Sequence, residues 1–204
     1  MLVTGIKSKP VYAPLEADGG GRFHVMLGRG VGREPLLRVI AGIAAAKPDA
    51  LARTRVLYLP DSAHPDGAAA PFTAARVGAV EIFPGAERLL GRFREVLDGA
   101  LMGTRLYVAG PESFIGLAMK IALEFNLNKD EIRAEECGTR ARRVYCVHCR
   151  ATTEDVRTNI APCVGCARWL LVRDHYSRRL AAYMGVMVDA EAPGERPPVV
   201  ELFP

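Results

Sequence analysis

The sequence predicts an α/β protein: a doubly wound parallel sheet followed by a small four-cysteine metal ribbon. Two observations predict this. Over the first two thirds of the 204 residues, four strand-like apolar runs alternate with helix-like runs, the pattern of a parallel sheet with helices on both faces. In the last third, Cys146-Val147-His148-Cys149 is followed after thirteen residues by Cys163-Val164-Gly165-Cys166. The expected organisation is a nucleotide-binding domain over 1–138, the ribbon over 139–190 and an extended tail over 191–204.

In order along the chain, residues 1–22 end in Asp18-Gly19-Gly20-Gly21 and read as a flexible lead-in. Phe23–Leu27 is a buried strand that runs into Gly28-Arg29-Gly30-Val31-Gly32-Arg33-Glu34-Pro35, and the apolar helical run Leu36–Ala44 follows. Arg55–Pro60 is a second strand, ending at Asp61-Ser62, and His64–Pro71 reads as a loop. Val77–Phe83 is a third strand, Glu87–Leu97 a helix, Thr104–Ala109 a fourth strand and Ile115–Phe125 a further helix.

Strand, glycine-rich turn and helix form the setting in which glycines admit a phosphate to a helix N-terminus. Gly28, Gly30, Gly32 and Pro35 are therefore candidate cofactor-binding residues. Their alternation is not the G-x-G-x-x-G spacing of the dinucleotide fingerprint, and a tight turn without ligand would use the same residues. Asp61 could bind a ribose hydroxyl and would repel a 2′-phosphate, or simply form a turn after Pro60. A second glycine turn, Gly110-Pro111, lies at the same end of the expected sheet.

The two cysteine pairs offer two thiolates each and together fill a tetrahedron, so Cys146, Cys149, Cys163 and Cys166 are the candidate metal ligands. His148 lies inside the first pair, but four cysteines already complete the shell. Cys137 is left over, and an odd thiol suits a reducing compartment. The N-terminal segment has no signal-peptide core and no run reaches the eighteen apolar residues of a membrane span. A cytoplasmic protein with no membrane partner is expected. A net charge of +4 without a long basic run does not call for nucleic acid.

Between the cysteine pairs, Thr152–Ile160 is expected to form short antiparallel strands, and Trp169–Arg173 a strand after them. Arg173-Asp174-His175-Tyr176 invites a catalytic Asp–His pair. No activated nucleophile stands nearby, so a structural or partner-facing cluster is the better reading, and no catalytic residue is assigned. Leu180–Val186 reads as a segment docked against the ribbon.

The turn from Gly28 to Leu37 resembles the nicotinamide-binding turn G-G-x-G-x-T-P-L of ferredoxin reductases. Leu106–Phe114 is similar to their V-Y-x-C-G-P-x-x-F element, and Ile132–Gly138 to their closing I-x-x-E-x-F-G. The family's Thr, Cys and Phe are replaced by Glu34, Ala109 and Cys137. The resemblance implies an NAD(P) domain with Gly110 and Pro111 also at the cofactor, which either lends a dinucleotide site to a partner's flavin or has lost its ligand and serves as an assembly module. The twenty or so residues before Phe23 cannot form a flavin-binding barrel.

With the cysteine pairs, Val172–Ser177 and Ala182–Val186 added, most of the chain resembles the small subunit of bacterial dimethylamine monooxygenases. In that family a haem-containing oxygenase subunit demethylates a secondary amine oxidatively, and a flavin and iron–sulfur reductase subunit supplies electrons. The resemblance implies a non-haem subunit of a hetero-oligomer, not active alone, that supports electron delivery from NADPH or NADH to the haem partner. Rubredoxins, which hold iron in such a site, usually carry Gly after the second Cys of each pair. Arg150 and Ala167 stand there and the thirteen-residue gap is short, so zinc is expected, with iron as the alternative. The competing function is a zinc-ribbon module that binds nucleic acid or protein through a non-catalytic α/β scaffold.

Overall fold

In a computed structural model, the described residues are 8–61 and 67–204. They divide into two units, one of residues 12–138 and one in which residues 8–11 join residues 139–204.

The first unit is built on five parallel strands in the order β3-β2-β1-β4-β5: β1 Phe23–Arg29, β2 Thr54–Leu59, β3 Ala79–Ile82, β4 Thr104–Gly110 and β5 Ile132–Glu136. The central three are nearly continuous apolar runs because both of their faces are covered. Alternate side chains go to opposite cores. Val25, Leu27, Leu57, Leu106 and Val108 pack beneath helices α3 (Ala86–Asp98) and α4 (Glu112–Glu124). Met26, Val56, Tyr58, Tyr107 and Ala109 pack with α1 (Arg33–Ala46) and the short α2 (Ala70–Ala74). The strand order reverses between β1 and β4, so both glycine turns lie at the topological switch point.

Three local expectations change. The segment Ile132–Glu136 is a fifth strand at the sheet edge; its Arg-Ala-Glu-Glu sequence hides the pairing with β4. Pro71, expected to end a loop, sits in the first turn of α2 and seats the fully buried Phe72; residues 64–66 of that expected loop lie outside the described residues.

The third change is the lead-in, whose described part in this unit (12–22) is pinned to the sheet. Leu15 is 1% exposed and lies in the core with Met26, Leu36 and Tyr107. No helix follows β5 among the described residues, so this strap covers ground that a further helix would otherwise cover. The Leu15 N–H donates to Glu135 at 2.5 Å, and Glu135 also pairs with Arg38. Asp18 accepts from Arg105 and Arg133, both at 3.1 Å. Ion pairs near the surface contribute under ~1 kcal/mol each, whereas burying a leucine contributes roughly 1.5–3 kcal/mol. Leu15 therefore anchors the strap, and the charged contacts set its register.

The second unit is a five-stranded sheet in the order β7-β6-β10-β9-β8: β6 Arg142–Cys146, β7 Thr152–Val156, β8 Ile160–Pro162, β9 Trp169–Ser177 and β10 Ala182–Met187. The Leu180–Val186 segment, expected merely to dock, supplies the central strand β10, parallel to β6 and antiparallel to β9. The tail is tied in as well. Its Glu201 bridges to Thr158, and the Leu202 and Phe203 N–H groups both donate to the Arg157 carbonyl at 2.9 Å. Phe203 and Tyr183 sandwich the buried Arg142 guanidinium, 3.7 and 3.9 Å from the ring centres.

Two measurements check this account of the sheet unit. Leu15→Ala should lower its unfolding free energy by about 2–5 kcal/mol in denaturant titrations, because the strap loses its only deep anchor and leaves a cavity. His24, 2% exposed beside Tyr107, has its pKa lowered chiefly by burial. The unfolded chain then binds its proton more readily, so stability is complete above about pH 6.5 and falls as pH drops below it. His24→Gln should flatten that acid limb.

Candidate functional site

The two cysteine knuckles are the turns of two hairpins. β6 ends at Cys146 and leads through Cys149 into β7; β8 leads through Cys163 and Cys166 into β9. The turns are built alike. In the first, the Cys146 N–H donates to the Ala151 carbonyl and the Arg150 N–H to the Cys146 carbonyl, both at 2.9 Å. In the second, the Cys163 N–H donates to Arg168 at 2.8 Å and the Ala167 N–H to Cys163 at 3.0 Å.

Arg150 and Ala167 both take left-handed backbone, with φ of 69° and 58°. That is the conformation glycine adopts most easily. The replacement of glycine at these positions leaves the knuckle shape intact, so it does not discriminate zinc from iron.

The four sulfurs lie within 4.8 Å of one another, forming a metal-binding cysteine cluster. Cys146 and Cys166 Sγ are 3.9 Å apart, and Cys149 and Cys163 Sγ 3.5 Å. A tetrahedron of sulfurs about 2.3 Å from a zinc ion has edges of about 3.8 Å, so the shell fits the ion with little movement. Each knuckle buries its first cysteine, Cys146 at 0% and Cys163 at 3% exposure, and sets its second nearer the surface.

Backbone donors bias the cluster towards the ionised form. The Arg168 N–H leads in holding Cys166 down to about 6, aided by the Arg168 side chain. Cys163 is lowered by the N–H groups of Cys166 and Gly165 against the opposing effect of burial. The Ala151 N–H favours the Cys149 thiolate, but desolvation and the other three thiols outweigh it and push Cys149 up to about 12. Four thiols this close cannot all ionise unless a cation sits among them. His148 is outside the sulfur set; it is exposed, and its Nδ1 lies 3.2 Å from Arg168 Nη1, linking one knuckle to the other.

The nucleotide candidates also come together, at the carboxyl end of the sheet. Gly28 is paired in β1, Gly30 and Gly32 form a single 3-10 turn, and Pro35 is buried in the first turn of α1. Gly110 ends β4, where its carbonyl accepts from the Cys137 N–H at 3.0 Å, and Pro111 leads into α4.

Two of the glycines answer to neighbours within the chain. Gly30 has φ of 55°, and a Cβ there would lie 1.8 Å from an oxygen of Asp61. At Gly32 a Cβ would lie 2.3 Å from the Ala109 carbonyl oxygen. Tyr58 holds the turn from below, its hydroxyl donating to the Gly30 carbonyl at 2.5 Å. Cys137, at the end of β5, is pushed up to about 11 by burial, with the carboxylates of Glu135, Asp61 and Glu136 adding to the shift.

Asp174 and His175 do not form a pair. They are consecutive on β9, where successive side chains leave opposite faces. Asp174 instead accepts from Arg142 Nη2 at 2.7 Å, which gives the buried guanidinium its counter-charge. The Arg173–Tyr176 cluster is structural at its acid. This bears out the structural reading expected for Asp174; only its partner, 32 residues away, is not announced in the sequence.

Chelation of the metal should loosen the ribbon while sparing the helices. Trp169, the chain's one tryptophan, opens β9 beside the second knuckle. Its emission should shift to the red on chelator addition with far-ultraviolet helix signal retained, and Cys163→Ser should show that shift without chelator.

Comparison with known proteins agrees with these features. The family described as dimethylamine monooxygenase subunit DmmA-like matches twice, its N-terminal domain over residues 4–132 and its C-terminal domain over residues 143–186. A heme-dependent oxidative N-demethylase delta subunit from Ectopseudomonas mendocina (strain ymp) is 34% identical over 127 residues, covering 59% of this chain and 73% of that protein. Among solved structures, an intact type IV self-sufficient cytochrome P450 monooxygenase matches at 14% identity, over 82% of this chain and 21% of that one, with a TM-score of 0.47. The ferredoxin reductase in carbazole 1,9a-dioxygenase (FAD apo form) matches at 15% identity, over 60% of this chain and 35% of that one, with a TM-score of 0.45. The chain thus spans about a third or less of either solved structure. No helix among the described residues is long and apolar enough to cross a membrane. On the two domain matches and the 34% identical relative, the chain belongs to the DmmA-like family of dimethylamine monooxygenase subunits.

Proposed function

We propose that this chain is the non-haem subunit of a multicomponent monooxygenase that removes a methyl group from dimethylamine or a similar secondary amine. The observation that carries the reading is the 34% identity to a heme-dependent oxidative N-demethylase delta subunit across 73% of that protein. The haem belongs to an oxygenase partner. Electrons from NADPH or NADH reach that haem through a flavin and iron–sulfur reductase partner, and this chain supports their delivery in the cytoplasm.

The four-cysteine ribbon is proposed to carry zinc at Cys146, Cys149, Cys163 and Cys166. Four thiolates with no open position suit a structural ion, which would supply rigidity and no redox chemistry. Cys146 and Cys163 would hold it from the core side, and the N–H donors of Ala151, Gly165, Cys166 and Arg168 would stabilise the thiolate charge. Val147 and Val164 stand at the knuckle tips at 48% and 72% exposure, a pair of apolar contacts available to a partner.

Reconstitution tests the reading. Amine-dependent oxidation of the nicotinamide cofactor by the oxygenase and reductase subunits should fall when this chain is left out and return when it is added. An unchanged rate without it would sink the proposal. Metal analysis should find zinc, and the purified chain should be colourless; a strong visible absorption would mark tetrathiolate iron instead.

A further inference from the structure

We infer that the glycine turn of the sheet unit is closed by the chain's own Asp61, and that this subunit takes no nicotinamide dinucleotide there. The inference goes beyond the proposed function by locating the nucleotide of the electron supply on another subunit.

A dinucleotide at the switch point of a parallel sheet places its pyrophosphate against bare turn backbone, at a helix N-terminus that favours negative charge. Both requirements fail here. Asp61 presses a carboxylate oxygen against Gly30 so closely that a Cβ on Gly30 would lie 1.8 Å from it. The side of this glycine that gives a phosphate access in binding turns is faced by the Asp61 side chain, 63% exposed, which already carries a negative charge. At Gly32 the Cβ direction is likewise closed, by the Ala109 carbonyl. The glycines needed for the turn are thus accounted for by packing within the chain.

The charge balance points the same way. Three arginines stand near the turn, and each is matched by a carboxylate. Arg29 Nε lies 3.9 Å from Asp61, Arg33 Nε lies 3.1 Å from Glu34, and Arg38 pairs with Glu135. Glu34 occupies the first turn of α1, where an incoming phosphate would have to sit, and Glu136 adds a further acid beside Cys137. A pyrophosphate would have to break these pairs and then face their freed carboxylates.

The test uses the full chain without partners, so it is independent of whether the reconstituted system turns over. NADH and NADPH are titrated separately by equilibrium dialysis. No saturation is expected up to about 1 mM, the upper end of the usual range for enzyme substrates. Asp61→Ala should open the turn, and Asp61→Asn should remove the charge while keeping the size. Asp61→Ala combined with Glu34→Thr should bind at least about tenfold more tightly than the wild type. Saturable micromolar binding by the wild-type chain would overturn the closed turn. Variants that keep their thermal transition but bind no better than wild type would overturn the assignment to Asp61.

Discussion

The ribbon depends on one requirement: four sulfur atoms must converge from two hairpin turns. Everything else in that unit arranges this meeting. Strands β6 and β8 hold the first cysteine of each pair at the edge of the core, and the left-handed residues Arg150 and Ala167 bend the second back towards it. The apolar core beneath is small, centred on Val144, Val156, Leu170, Val172, Tyr176 and Tyr183. A core of that size buries too little surface to fix a unit of this length with much margin, and such units commonly rely on a metal or other staple. The tail adds a second brace, because Phe203 closes over the face of the Arg142 guanidinium opposite Tyr183, while Asp174 supplies its counter-charge.

The sheet unit shows the reverse economy. It has a large two-sided core, and its glycine turn is held by Tyr58 below and Asp61 beside it. Geometry that elsewhere would cradle a phosphate is here consumed by contacts within the chain. A binding fold can keep its outline when its site is filled from inside, because the strands and helices are stabilised by their apolar faces and not by the ligand. The paired charges at that end then form a polar surface of nearly balanced sign.

How much of this was legible depended on how local the cause was. Strands β1, β2 and β4 could be read because burial on both faces writes a continuous apolar run. The metal cluster could be read because spacing alone brings two thiols together and repetition brings four. The edge strand β5 was hidden by Glu135 and Glu136, since an edge tolerates charge. The strap was missed because a single leucine among prolines and glycines gives no period; its meaning comes from a core contributed by residues far along the chain. The same holds at the turn. Nothing near Gly30 in sequence announces that a residue 31 positions later will lie against it.

Residues 8–11 belong with the ribbon, although more than a hundred residues of sheet unit separate them from the rest of it. Ser8 donates its N–H to the Asp174 carbonyl and accepts from the Tyr176 N–H, across a span of 168 residues in the second case. The chain is therefore made in an order that the two units experience differently. The sheet unit is contiguous and can finish folding as it leaves the ribosome, once β5 has emerged. The ribbon unit, whose first described residues are made before the sheet, must wait for β9, β10 and the tail. Its early segment cannot meet β9 until that strand has been made, so the loop it closes spans the whole sheet unit.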